Sequence, residues 1–200
     1  MSTTKLALFD FDGTLTRGDS LKHFAQPAFG QKKFAKALVA FISSLLPALV
    51  GKWDRGQSKE RFLESLLGGM REEELLEAGR SFAAAMPASF FVDEALNRLA
   101  WHQRMGHRCM VVSASPEFYL TPWAKGKGIE AVLATRLEVA EGVVTGRFNG
   151  ANCWGQEKVR RLQEYVGDLG PYEIWAYGDS RGDKELLAVA THPYFRPFDN

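Results

Sequence analysis

The chain has 200 residues, 46% of them hydrophobic, which fits one large domain or a core with a smaller insertion around a sizeable apolar interior. Its 25 Lys and Arg stand against 24 Asp and Glu, for a formal net charge of +1. That balance lacks the basic excess that binding to a phosphate backbone calls for, so nucleic acid is not expected as a partner.

The first residues, Met1 to Lys5, have neither the apolar core nor the small-residue cleavage site of a secretion signal, so the fold is expected to begin where the chain begins. Residues 5–11 read as a short apolar strand that ends in Phe9-Asp10-Phe11-Asp12-Gly13-Thr14-Leu15-Thr16. Two carboxylates two residues apart at the end of a buried strand are costly. Like charges in a partly desolvated crevice raise one another's pKa, and they persist where a cation or a proton takes part in the chemistry. Gly13 lets the backbone turn toward a ligand, and the pattern suggests a magnesium-dependent site for phosphoryl transfer.

From about Asp19 to Leu99 apolar residues recur at helical spacing, as at Phe62, Leu63, Leu66 and Leu67 and then Leu75, Leu76 and Ala78. This block reads as several helices with no strand between them, broken at Pro27, Gly51, Gly68-Gly69 and Pro87. No charge falls between Ala37 and Val50, but the run is shorter than the roughly 20 residues a membrane span needs and holds Pro47. It reads as a buried or cleft-facing helix, or as a surface that meets lipid or a greasy substrate, and not as a transmembrane segment.

Beyond the helical block the order alternates. A helix is predicted over Ala95 to Met105, then a buried strand over His107 to Val112 that runs into Ser113-Ala114-Ser115-Pro116, with Pro116 in the first turn of the next helix. A strand at Ala131 to Thr135 and a hairpin over Arg136 to Phe148 about Glu141-Gly142 follow. The last elements are a helix over Gln156 to Val166, a strand over Tyr172 to Tyr177 and a helix near Asp183 to Ala190. Strands separated by helices predict an α/β fold, a doubly wound parallel sheet whose ligands bind at the carboxyl ends of the strands. Residues 1–15 and 91–200 would form the core, with residues 16–90 inserted as a helical cap.

Asp10, Asp12, Ser113, Lys158, Asp179 and Asp183 all fall just after predicted strands or at helix starts, which brings them to one edge of the sheet. A transferring phosphoryl group spreads charge over its equatorial oxygens, so catalysis needs positioning, a metal, a cation and hydrogen-bond donors. Asp10 suits the nucleophile, forming an aspartyl-phosphate, and Asp12 the acid that protonates the leaving oxygen and then activates water. Asp10 and Asp179, with the main-chain carbonyl of Asp12, are the candidate Mg2+ ligands. Asp183 would hold a metal-bound water, orient the lysine or cap its helix. Ser113 and the main chain from Ala114 onward are candidate substrate contacts, and Lys158 would neutralise phosphate and nucleophile. His23 and His107 read as packed or solvated, and Trp154, Trp175 and Tyr177 as core packing.

Taken in order, these segments resemble the four motifs of the haloacid dehalogenase-like superfamily, with DxDGT at Asp10 to Thr14. The resemblance is nearest to subfamily IB, the branch that includes phosphoserine phosphatase, whose helical cap is inserted between the first and second motifs. It implies a Rossmann-like core and phosphatase activity through an aspartyl-phosphate. Ser113-Ala114-Ser115-Pro116, Thr145-Gly146-Arg147 and Gly178-Asp179-Ser180 also resemble a bacterial subgroup of small phosphatases, some of which act on lipid phosphates such as phosphatidylglycerophosphate.

Phosphoserine phosphatases carry a Glu nine residues after the nucleophile, where this chain has the shorter Asp19, a further candidate substrate contact. The cap arginine with which those enzymes read the substrate carboxylate has no counterpart here; Leu63 takes its place, with Arg61 nearby. Gly182 replaces an Asn that the family often carries one residue before the final Asp. These departures point away from phosphoserine and toward another small phosphorylated metabolite or a lipid phosphate. Cys109 and Cys153 form neither a CxxC pair nor a disulfide framework, so the expected place is the reducing cytoplasm, free or at a membrane surface, without structural zinc. Two alternatives stand beside this reading: a phosphotransferase to an alcohol acceptor, which would share the motifs, and a non-catalytic phospholigand-binding or membrane-associated protein that uses residues 37–50 as its contact surface, against which the intact Asp10 and Asp12 argue.

Overall fold

A computed structural model describes residues 4–44 and 55–198. Its strands are β1 (Thr4–Phe9), β2 (Arg108–Pro116), β3 (Ala131–Thr135), β4 (Leu137–Ala140), β5 (Val143–Phe148), β6 (Tyr172–Gly178) and β7 (His192–Phe195). Five of them form one parallel sheet in the order β3-β2-β1-β6-β7, and β4 and β5 pair separately as an antiparallel hairpin. The helices are α1 (Ser20–Ser43), α2 (Arg55–Leu67), α3 (Glu72–Ala85), α4 (Asp93–Arg104), α5 (Glu117–Ala124), α6 (Gln156–Val166) and α7 (Lys184–Ala188).

The central strands are apolar on both faces because both faces are covered. On β1, Leu6 and Leu8 join Met110, Val112, Ile174 and Ala176 with Leu162 of α6 and Leu186 of α7. Ala7 and Phe9 point the other way, to Val111, Tyr177, Leu99 of α4 and the aromatic side chains Tyr119 and Trp123 of α5. The α/β class and the parallel sheet expected from the sequence are both present. β1 stops at Phe9, two residues short of the predicted end, because the chain after Asp10 turns back: the Phe11 carbonyl accepts from Leu15 N at 2.9 Å and Thr16 N at 3.0 Å.

Asp19 caps α1, its Oδ1 accepting from Lys22 N at 3.0 Å. The break expected at Pro27 lies three residues later, at Gly30 with φ 71°. Proline's fixed φ is itself helical, so the bend moves to the nearest residue free to leave helical geometry. Gly68 and Gly69 follow the end of α2, and Pro87 precedes a short 3-10 turn at Ala88–Phe90, as expected. Gly51, Pro47 and the rest of residues 45–54 lie outside the described residues, and with them the second half of the apolar 37–50 run. In its first half Ala37 is buried, while Leu38, Val39 and Ile42 are 41%, 66% and 55% exposed. No helix among the described residues is long and apolar enough to cross a membrane.

The hairpin turns at Glu141-Gly142, both with positive φ, as its sequence predicts. It docks on the joint between α2 and α3 through main-chain bonds: Gly69 N to Val144 O at 3.0 Å, Val144 N to Met70 O at 2.8 Å and Glu72 N to Gly142 O at 2.9 Å. Phe148 N also donates to Glu60 Oε1 at 2.7 Å. Gly146, φ +84°, lies so close to the Glu64 backbone that a Cβ there would overlap it. The edge strand β7 has no counterpart among the predicted strands. It is four residues long, mostly exposed and contains Pro193, all features of an edge and none of a buried strand.

Candidate active site

The carboxyl ends of β1, β2 and β6 open into a cleft of about 990 Å³ roofed by α1 and α2. Asp10, Asp12, Asp19, Ser113, Ala114, Lys158 and Asp179 all line it. Asp183 is fully buried behind it and reaches it through Lys158. All eight candidate positions therefore converge on one place.

Asp10 continues the β1–β6 ladder, its N–H donating to the Tyr177 carbonyl at 2.9 Å. Lys158, in the first turn of α6, is 2% exposed and donates to Asp10 Oδ1 at 2.8 Å and Asp183 Oδ1 at 2.5 Å. Burial works against the lysine's charge, but the two carboxylates outweigh it and hold its pKa above the usual range. Burial and the Asp183 charge raise Asp10, and the Lys158 ammonium opposes them.

Asp12 looks elsewhere. Its Oδ1 accepts from Ser20 N at 2.9 Å, and its Oδ2 accepts from the Ser115 hydroxyl in a short hydrogen bond. Burial, with the Asp19 charge behind it, pushes Asp12 up to about 7, while those hydrogen bonds pull the other way. A carboxyl group there is suited to exchanging a proton near neutral pH.

Asp179 follows β6, and burial and the charges of Asp10 and Asp183 push it up to about 6. Its Oδ1 is buried and has no hydrogen-bond partner among the described residues. One oxygen each from Asp10, Asp179 and Asp183 lie within 4.8 Å of one another. Asp183 is the least free of the three: Oδ2 accepts from Ser180 N at 3.0 Å, Ser180 Oγ at 2.9 Å and Asp179 N at 3.3 Å. An orphaned carboxylate oxygen facing a second carboxylate fits a hard divalent cation with oxygen ligands.

Ser113 Oγ accepts from Ser115 N at 3.2 Å, which leaves its own O–H to donate into the cleft. Asp19 serves both as the α1 cap and as cleft wall. His23 is exposed and lies tilted against Phe90, while His107 is buried beside Trp175. Trp175 and Tyr177 pack among His102, Phe9 and Tyr194, but Trp154 lines the cleft instead of the core.

Lys22, Lys59 and Asn152 also line the cleft and are not among the candidates read from the sequence. Lys59 of α2 donates to the Ala114 carbonyl at 2.5 Å, and burial lowers its pKa against the opposing charges of Asp12 and Asp19. The signal was a lysine in a buried stripe: Lys59, Phe62, Leu63 and Leu66 sit at helical i, i+3, i+4 and i+7. The far wall is apolar, made by Leu21, Phe34, Leu38, Phe41 and Phe62.

Residues 7–188 match the haloacid dehalogenase-like hydrolase family. The chain belongs to it. Protein CicA of Caulobacter vibrioides is 33% identical over 96% of this chain and 86% of that protein. A histidinol-phosphatase of Neisseria meningitidis is 28% identical over 94% of this chain and 88% of its own. In fold, the chain resembles a phosphoserine phosphatase solved as a phospho-aspartyl intermediate analogue, with a TM-score of 0.62 at 22% identity over 94% of this chain and 84% of that one.

Proposed function

We propose that this haloacid dehalogenase-like hydrolase is a magnesium-dependent phosphomonoesterase that works through an aspartyl-phosphate on Asp10. The observation that carries the reading is the division of labour between two carboxylates two residues apart. Asp10 is paired with a buried lysine, while Asp12 turns away to hydroxyl and amide donors and is raised to about 7. A nucleophile has to be ionised and a general acid protonated at the same pH, and the Lys158 ammonium on Asp10, against the neutral donors on Asp12, favours that assignment of the two roles.

In the proposed cycle an Asp10 oxygen attacks phosphorus, and Asp12 gives its proton to the departing alkoxide. Asp12 then takes a proton from the water that attacks the phosphorus of the Asp10 acyl phosphate, breaking its bond to Asp10, releasing inorganic phosphate and restoring both carboxyl groups. Lys158 offsets charge on Asp10 and the phosphoryl oxygens, and Ser113 with the Ala114 main chain orients those oxygens. Asp10, Asp179 and the Asp12 carbonyl would hold Mg2+, which offsets phosphoryl charge when bound. Asp183 fixes Lys158. Residues 16–90 act as a cap over a core of residues 1–15 and 91–200.

For the substrate, the apolar wall from Phe34 to Phe62 favours a phosphomonoester with an apolar body, a lipid phosphate above a sugar or amino-acid phosphate. The exposed Leu38, Val39 and Ile42 continue that wall outward and favour a peripheral place at a membrane. The test is phosphate release from p-nitrophenyl phosphate and from a short-chain phosphatidic acid, with Mg2+ and with EDTA. Full activity of Asp10→Asn sinks the nucleophile assignment, and equal turnover of a sugar phosphate sinks the apolar substrate.

A further inference from the structure

The hydrogen bonds that hold Asp12 continue into a chain of hydroxyls. Ser115 Oγ donates to Asp12 Oδ2, Ser20 Oγ donates to Ser115 Oγ at 3.4 Å, and Ser20 Oγ meets Tyr119 OH at 3.0 Å. The three come from separate elements, β2, α1 and α5, and are buried: Ser115 is 4% exposed, Ser20 and Tyr119 not at all. Ser20 is also the first residue of α1, and its N–H holds the other oxygen of Asp12.

A main-chain N–H can only donate, whereas a hydroxyl can donate or accept by rotating about its C–O bond. We propose that Ser115, Ser20 and Tyr119 are positioning residues for Asp12, a rotatable hydroxyl chain that keeps its carboxyl group aimed both with and without its proton. The proposal rests on the phosphomonoesterase reading above. When Asp12 has given its proton to the leaving oxygen, Ser115 donates into the resulting carboxylate. When Asp12 has taken a proton from the attacking water, Ser115 can turn to accept from it and donate toward Ser20. No proton travels along the chain.

An inert filling of buried polar space predicts a different result. A leaving group with a basic oxygen depends on the acid, and p-nitrophenolate hardly does. Ser115→Ala is expected to lower kcat/KM about 30-fold for an alkyl phosphate and less than about 3-fold for p-nitrophenyl phosphate, within the range that general acid catalysis supplies. Ser115→Thr, which keeps the hydroxyl, recovers most of that loss. Tyr119→Phe leaves its ring in place and shows the same leaving-group selectivity at about 3-fold, and it stands in if Ser115→Ala does not fold by circular dichroism. Losses equal for both esters overturn the chain while leaving the phosphatase intact. Wild-type protein that releases phosphate from neither ester overturns both.

Discussion

Gly13 lies against the carboxylate of Asp179 so closely that a Cβ at position 13 would overlap both the carboxylate carbon and an oxygen. Its φ of +77° is also one that side chains other than glycine's resist. Gly13→Ala is therefore expected to displace Asp179 and weaken the apparent affinity for magnesium on the order of 10-fold or more. A magnesium titration of phosphate release checks it, with unchanged half-saturation as the contrary result.

Asp179 is raised to about 6, so above that pH the fold carries a charge it disfavours; the penalty fades as pH falls through 6 toward the ordinary carboxylate value of 3.8. At pH 7.5 in EDTA, Asp179→Asn should melt about 2–4 °C higher than the parent, the shift expected for roughly 1 kcal/mol in a chain of this size. Magnesium should then raise the melting temperature of the parent and leave the variant unmoved. Thermal melts in the two buffers read both effects.

Lys158 joins two buried carboxylates, and its removal leaves both unpaired. Lys158→Met should cost about 3–5 kcal/mol in denaturant unfolding, together with turnover. Adding Asp183→Asn removes one of the orphaned charges, so the double variant should regain part of the stability and none of the activity. Additive losses would show that the pair does not interact.

Lys59 stands at the border between the phosphate end and the apolar wall and touches neither Asp10 nor Asp12 by hydrogen bond. Lys59→Met is expected to raise KM for an anionic lipid phosphate about 10-fold, close to the value of one charge-assisted hydrogen bond, with little change in kcat. Steady-state kinetics separates the two parameters.

Behind the sheet, His102 is fully buried, its Nδ1 at 2.7 Å from His107 Nδ1 and its Nε2 at 2.9 Å from the Tyr177 hydroxyl. Burial, the neighbouring His107 and Arg98 lower it to about 4. The unfolded chain binds this proton near pH 6.5 and the folded one does so only near 4, so stability is complete above 6.5 and falls away between the two. Urea unfolding should lose about 2 kcal/mol from pH 7 to pH 4.5 through this group. His102→Asn, weaker at pH 7, should show a flatter profile over that range.

Much of the fold was legible because buried parallel strands leave uninterrupted apolar runs. Met110 to Val112 and Ile174 to Tyr177 could be read for that reason, and the Glu141-Gly142 turn because positive φ asks for such residues. The meeting of Asp10, Ser113, Lys158 and Asp179 was legible because carboxyl ends of parallel strands share an edge. What escaped depends on contacts distant in sequence. Lys59 meets Ala114 across 55 residues, and Tyr119 meets Ser20 across 99; the apolar stripe around Lys59 marks a sheltered charge but not its partner, and nothing local marks the meeting of Tyr119 with Ser20. β7 escaped because an edge strand needs only one neighbour and no apolar face.

The docking of the β4–β5 hairpin on the α2–α3 joint gives the roof an asymmetry of attachment. Three main-chain bonds and the Glu60 bond stitch that side down, and Gly146 leaves no gap there for sliding. The α1 side is held near the cleft by side chains and by the Ser20 tether at its root. Because α1 packs along α2, the hairpin fixes both helices of the roof, and a lipid phosphate of the kind proposed above would lie with its tail outermost, past Leu38.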